Sequence, residues 1–240
     1  MLEELKNARR PAARTPGMLG RIGWLVARLV AAFLFISVVQ VVIYKFVPVP
    51  TTLTMLMDEH PVTKDWTPLS QIDRDMVAAA ISGEDGKFCQ HNGFDHEAIM
   101  NAFRRNAKGG RIRGGSTISQ QTAKNVFLWQ GGGYVRKGLE AWYTVLIETI
   151  WGKRRIMEVY LNVAETGIGT YGVEAGAQRY YGKSARKLSA VEAARIAAVL
   201  PLPKKREVNG AGGFTRRHGN AIARRVGVVK NEALDSCVYD

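Results

Sequence analysis

The chain has 240 residues, room for one good-sized core plus an appendage. Its formal charge of +13 calls for an anionic partner, which leaves nucleic acid, an anionic lipid surface or a phosphorylated substrate. With two cysteines and four scattered histidines, a Cys/His metal cluster is excluded.

The N-terminus narrows the choice of partner. Lys6, Arg9, Arg10, Arg14 and Arg21 precede an apolar stretch, Leu29 to Tyr44, that extends back to Ile22 and on to Val47. Crossing a bilayer takes roughly 20 apolar residues. Arg28, Gln40 and Lys45 are the main polar interruptions, and Arg28 is close enough to the basic end to snorkel toward headgroups. A cleavable signal peptide would have a shorter apolar region and a small-residue cleavage site. Here Lys45-Phe46-Val47-Pro48-Val49-Pro50 follows instead, so a retained anchor is the better reading. The Lys/Arg excess before it puts the N-terminus in the cytoplasm. Everything after Pro50 is then extracytoplasmic, which sets nucleic acid aside as a partner.

This divides the chain into a basic tail (1–21), a transmembrane anchor (22–47), a Pro- and Thr-containing linker (48–66), a soluble domain (67–230) and a loose C-terminal tail (231–240). In the soluble domain a helix is expected from Ser70, as cap, to about Gly83, with Ile72, Met76, Val77, Ala80 and Ile81 on one face. Glu84 falls at its end. Asp95 caps a helix that stops at Gly109-Gly110, and a glycine- and arginine-rich loop spans Lys108 to Gly115. Further helices are expected over Thr117–Leu128, Tyr134–Trp151 and Arg154–Ala164. A capping box at Ser189/Glu192 opens another, ended by Pro201, and a basic helix covers Arg216–Val229. Alternating strand patterns are missing, so the fold class is all-α, a compact globule of uneven helices. Cys89 sits inside an acidic segment and Cys237 near the chain end; two free thiols are expected, with pairing left open.

Three blocks carry chemistry. Glu84-Asp85-Gly86-Lys87-Phe88-Cys89-Gln90-His91-Asn92-Gly93 sets an acidic pair directly after an apolar helix, where partial burial can make a carboxylate a general base. Phe88 and His91 read as structural. Gly114-Gly115-Ser116-Thr117-Ile118-Ser119-Gln120-Gln121, then Lys124-Asn125, offers hydroxyls, amides and helix N-terminal N–H groups for a sugar or an anion, with Lys124 as a cation. Arg136-Lys137-Gly138-Leu139-Glu140 puts Arg136 and Glu140 on one helix face.

In this order, and joined by Arg154–Asn162 and Gly169–Ala175, the blocks resemble the monofunctional biosynthetic peptidoglycan transglycosylases, which polymerise lipid II into glycan strands. The resemblance runs from about Ser70 to Pro201. It implies a lysozyme-like helical domain with a small membrane-proximal lobe. Glu84 is then the catalytic base, and Glu140 the second carboxylate of the site. Substrate is bound by Asp85, Ser116, Thr117, Gln120, Gln121, Lys124, Asn125, Arg136 and Lys137. No cofactor is required on this reading, although a divalent cation (magnesium or manganese) beside the pyrophosphate stays open, with Glu140 its sole candidate ligand. The implied partners are lipid II, the growing glycan chain, the inner membrane and other cell-wall synthesis or division proteins, with the catalytic domain in the periplasm. Phe127, Leu128 and Trp129 resemble an apolar element that dips toward lipid, with a core role as the equal alternative.

After Pro201 the chain departs from the family pattern: Leu202-Pro203-Lys204-Lys205 replaces an Asn-Pro segment. Ser184-Ala185-Arg186-Lys187 matches the Ser-x-x-Lys of penicillin-binding domains, but its Lys-Thr-Gly and Ser-x-Asn partners are missing from the sequence. Two rivals remain. A lysozyme-like hydrolase or lytic transglycosylase would also use a glutamate on a helical lobe, but a neutral glycoside does not need Lys124, Arg136 and Lys137. A non-catalytic wall-binding scaffold would not need Glu84.

Overall fold

The computed structural model describes residues 17–107, 115–210 and 212–239. Lys6, Arg9, Arg10, Arg14, the loop through Gly114 and the expected helix stop at Gly109-Gly110 lie outside the described residues. Residues 1–40 and 41–240 form two compact units.

Most of the first unit is helix α1 (Met18–Phe46), whose last turn belongs to the second. The helix has 29 residues and holds an 18-residue stretch with a mean hydropathy of 2.4, long and apolar enough to cross a membrane. Of its two arginines, Arg21 is in the first turns and Arg28 lies over the ring of Trp24 one turn earlier, 3.4 Å from the centroid, so the deeper charge has an aromatic partner.

In the second unit, Trp151 Nε1 donates to the carbonyl of Val41 at 2.7 Å, and the Arg155 guanidinium donates to those of Tyr44 and Val47 at 2.8 and 2.7 Å. Of these acceptors, the Tyr44 carbonyl lies in the last turn of α1, where the helix itself supplies no donor. Next come α2 (Leu53–Leu56), capped by Thr52, and strand β1 (Thr63–Lys64). A 3-10 turn, Leu69–Gln71, leads into α3 (Arg74–Glu84).

Helix α3 starts three residues later than the sequence suggests. The side chain of Asp73, not Ser70, accepts the first free amide, from Asp75 at 2.9 Å. Met76 through Ile81 are all wholly buried, so α3 is interior on every side and not on one face alone. Three consecutive alanines, Ala78, Ala79 and Ala80, let neighbouring helices close around it.

The remaining helices are α4 (His96–Ala107), α5 (Ile118–Phe127), α6 (Gly133–Ile150), α7 (Lys153–Val163), α8 (Val173–Tyr181), α9 (Ala190–Val199), α10 (Gly213–Asn231) and α11 (Ser236–Tyr239). Asp95 accepts from Ala98 N–H at 2.9 Å, and Ser189 with Glu192 forms the expected capping box. Helices α3, α9 and α10 pack on one another, and α5 packs on α6 and α7. Phe127 stacks on Tyr143 with 4.3 Å between centroids, and Leu128 is buried, so this pair takes the core role.

The sequence reading missed a small sheet of order β1-β3-β2, with β2 (Glu165–Gly167) antiparallel and β1 parallel to β3 (Thr170–Tyr171). Gly169 makes the join, with φ of +66° and its carbonyl accepting from Thr63 N–H at 2.8 Å. A Cβ there would sit 2.5 Å from the Pro61 carbonyl, so only glycine fits.

The chain end is not loose, and its cysteine is not free. Asp235 is wholly buried and takes a two-pronged bond from Arg74 at 2.7 and 2.8 Å. Val238 is buried and its carbonyl accepts from Arg154. This docking brings Cys237 to Cys89, in the 3-10 turn Phe88–Gln90, and the two form a disulfide across 148 residues of sequence. Spacing along the chain could not reveal it. Cys237→Ser should lower the unfolding free energy by about 2–4 kcal/mol. Denaturant unfolding of the oxidised protein in detergent checks this, and an unchanged midpoint would make the bridge energetically idle.

Candidate active site

Glu84 ends α3 and Asp85 is its C-cap, so two neighbouring carboxylates leave the buried helix together. Their surroundings are opposite. Asp85 is buried and fully engaged. Its oxygens lie 3.0 and 3.2 Å from His91 Nε2, and one accepts from Ile118 N–H at 3.0 Å. Because Gly93 N–H donates to His91 Nδ1 at 3.2 Å, the ring carries its proton on Nε2 and gives it to Asp85. Ile118 is the first residue of α5, whose amino end favours a negative charge.

Glu84 has no such support. Its Oε2 accepts from Gln121 Nε2 at 2.8 Å, while Oε1 is out of solvent contact and without a hydrogen-bond partner among the described residues. Burial pushes its carboxyl above the usual range. The Gln121 bond and the charges of Arg206 and Lys124 pull it back in part, and neighbouring Asp85 pushes it further up. Gln121 is oriented in turn by Tyr160, whose hydroxyl lies 3.4 Å from its Oε1. Tyr160 is itself wholly buried, which holds its phenol well above the usual range and therefore neutral.

Lys124 follows Gln121 by three residues on α5 and shares its face. Its ammonium has no hydrogen bond or ion pair among the described residues. Burial lowers its pKa, Glu140 and Glu84 oppose that, and Arg136 and Lys137 add to it. The lysine therefore senses both carboxylates and both other cations. On α6, Glu140 is 2% exposed; Oε2 accepts from Arg136 Nη1 at 2.6 Å and Oε1 accepts from Lys137 Nζ. Lys137 also reaches Ser116 Oγ at 3.2 Å, and Arg136 Nε donates to the Gly131 carbonyl. Glu140 thus holds two cations in place, and with Lys124 the cluster stays net positive.

Gln121, Lys124 and Asn125 line a cleft of about 140 Å³, faced by Glu165, Tyr171 and Pro203. The structure therefore brings together Glu84, Gln121, Lys124 and Asn125, and links Lys124 electrostatically to Arg136, Lys137 and Glu140. Thr117 and Gln120 have a different place. Both are buried in the α5 capping box, and Thr117 Oγ1 also donates to the Gly93 carbonyl at 2.6 Å. Nor are the first amides of α5 open to an outside anion, since Ile118 N–H is taken by Asp85 and Gln120 N–H by Thr117. The anion at this helix end is the chain's own.

A divalent ion fits poorly at Glu140, because both of its oxygens are already held by cations. Among the described residues no group of three His, Cys, Asp or Glu side chains converges as ligands. The sequence reading passed over Glu165, although it follows the apolar end of α7 much as Glu84 ends α3.

The family model described as Transglycosylase matches residues 51–231. The chain belongs to the transglycosylase family. A biosynthetic peptidoglycan transglycosylase of Caulobacter vibrioides is 50% identical over 216 residues, covering 88% of this chain and 94% of that one. One from a Marinomonas species is 44% identical over 215 residues, covering 90% and 94%. Another from Rhodospirillum centenum is 42% identical over 227 residues, covering 93% and 98%. The transglycosylase domain is a lysozyme-like helical one, and its matched segment contains every residue of the acidic pair, the cation cluster and the cleft.

The unsupported Glu84 carboxyl has a measurable signature in this transglycosylase. Its folded pKa lies above the unfolded one, so the associated stabilisation is complete below the ordinary 4.5 and is lost as pH rises through the folded pKa. Glu84→Gln should therefore flatten the fall of the melting temperature above pH 4.5. Thermal unfolding of both proteins across pH tests it, and parallel curves would mean that Glu84 is ordinarily solvated.

Proposed function

We propose that Glu84 is the general base of lipid II polymerisation. It takes the proton from the 4-hydroxyl of the acceptor's terminal sugar as that oxygen attacks the anomeric carbon of the growing chain. The chain is a peptidoglycan glycosyltransferase by family, and its substrates are lipid II and the glycan strand. The carrying observation is the contrast within the acidic pair: Asp85 is bonded on both oxygens, whereas Glu84 keeps one oxygen unbonded and is joined to the cleft through Gln121. A carboxyl with a raised pKa binds a proton more readily, and a general base works best when its pKa is near the operating pH.

The reaction inverts the anomeric centre and expels undecaprenyl pyrophosphate. Lys124, Arg136 and Lys137 stabilise the charge that develops on the leaving oxygens. Lys124 is the cation without a carboxylate bonded to it, so its ammonium meets the pyrophosphate most directly. Glu140 is a positioning residue for Arg136 and Lys137. No step is routed through a metal. The net positive cluster also favours synthesis over cleavage of a neutral glycoside, which gives no anionic leaving group to neutralise.

We place the enzyme in the bacterial inner membrane, with α1 spanning once, the N-terminus cytoplasmic and the catalytic domain periplasmic. The basic residues before α1 support that orientation. The Cys89–Cys237 disulfide supports an oxidising compartment. Other wall-synthesis or division proteins are the partners expected there.

Purified enzyme with lipid II in detergent, followed by sizing of the glycan products, tests this assignment. Glu84→Gln should lower kcat by about 10²–10⁴-fold while the protein stays folded. Retained polymerisation would remove Glu84 from the chemistry. The wild-type rate should rise with pH through the elevated Glu84 pKa, since only the ionised form accepts a proton. Lys124→Ala should cost about 10²-fold in kcat. Excess chelator should leave the rate unchanged, and loss of turnover would bring a divalent ion into the site.

A further inference from the structure

The cleft has a second wall that the mechanism above does not use. Glu165 opens β2 opposite Tyr171 of β3, and its side chain is 13% exposed. Its Oε1 is out of solvent contact and accepts no hydrogen bond among the described residues. The Lys204 ammonium is 3.9 Å away, too far for a hydrogen bond.

The flanking donors are committed elsewhere. Asp58 accepts from Tyr171 Oη at 2.6 Å, from Lys204 Nζ at 3.1 Å and from His60 N–H at 3.0 Å. Burial pushes the Asp58 carboxyl up, but these bonds outweigh it and hold the group ionised. Burial and neighbouring Asp58 push the Glu165 carboxyl up, while Lys204, the Gly169 backbone N–H and His60 pull it back in part, and Oε1 keeps no partner of its own among the described residues. A buried carboxylate oxygen without a donor is unfavourable in the empty protein. Glu165 lines the same cleft as Gln121, Lys124 and Asn125, so a molecule filling that cleft brings the missing donor.

We propose that Glu165 is a specificity-determining residue that accepts a hydrogen bond from the acceptor's terminal sugar, next to the hydroxyl that Glu84 deprotonates. The donor is a neighbouring hydroxyl or the acetamido N–H of that sugar. Gln121 joins the two sites, since it bonds Glu84 and also lines the cleft that Glu165 faces. Asp58, Tyr171 and Lys204 fix the cleft wall without saturating Glu165. The inference rests on the reading of Glu84 as base, because that reading is what makes this the acceptor side.

Glu165→Ala and Glu165→Gln in the full-length enzyme test it. With lipid II, Glu165→Ala should raise KM about tenfold, more than it lowers kcat, as for one lost hydrogen bond to a charged group. Glu165→Gln keeps an acceptor oxygen and should stay within about threefold of wild type. An unchanged KM in Glu165→Ala, or a fall in kcat that tracks a lower melting temperature in both variants, overturns the inference. A binding arm separates it from the base assignment. In the Glu84→Gln background, adding Glu165→Ala should weaken lipid II affinity about tenfold. Equal affinities overturn the inference, whereas polymerisation by Glu84→Gln alone overturns only the base assignment.

Discussion

A backbone-to-carboxylate hydrogen bond ties the acidic pair to the cation-bearing helix: Ile118 N–H, at the start of α5, donates to the Asp85 carboxylate at the end of α3. Helix α3 is sealed in the core and delivers the acidic pair to its carboxyl end, where a negative charge is disfavoured by the backbone. The amino end of α5 offers the opposite field. Asp85 bridges the two ends, which leaves α5 with its Gln121 and Lys124 in register with Glu84. Together with the Gln121–Glu84 bond, that tie fixes the acidic end of α3 to the helix that carries the first cation.

The division of labour between adjacent residues follows from which bonds each can find. Asp85 takes an amide and an imidazole, and Glu84 only one side-chain amide. Chemically similar groups one residue apart thus become a fixed strut and a carboxyl with one oxygen unbonded. The same logic runs through the cations. Arg136 and Lys137 are tied to buried Glu140, while Lys124 has neither ion pair nor hydrogen bond among the described residues. Groups with partners set the geometry, and groups without them keep bonding capacity for a ligand.

How much of this was legible beforehand depends on how local each signal is. The capping residues Asp95, Thr117 and Ser189 mark helix starts because a cap acts within three residues of itself. The order of the acidic, hydroxyl-rich and basic blocks was enough to recognise the family. Burial of α3 on all sides was not legible, because alanine reads equally as surface or core until α9 and α10 close over it. Strands of two or three residues leave no periodicity, so the sheet that carries Glu165 was invisible. The Thr117 and Gln120 side chains looked available for substrate because their use in a cap depends on the backbone around them. Pairing of Cys89 with Cys237 needed the docking of Asp235 and Val238, a contact between opposite ends of the domain.

That covalent link also orders events in time. Cys89 lies four residues beyond Asp85, and its partner follows 148 residues later in the chain. During synthesis the acidic segment emerges long before the sulfur that secures it. The clamp closes only after those 148 residues have been made and have met an oxidant. A nascent or shortened enzyme therefore lacks this covalent brace behind its acidic segment.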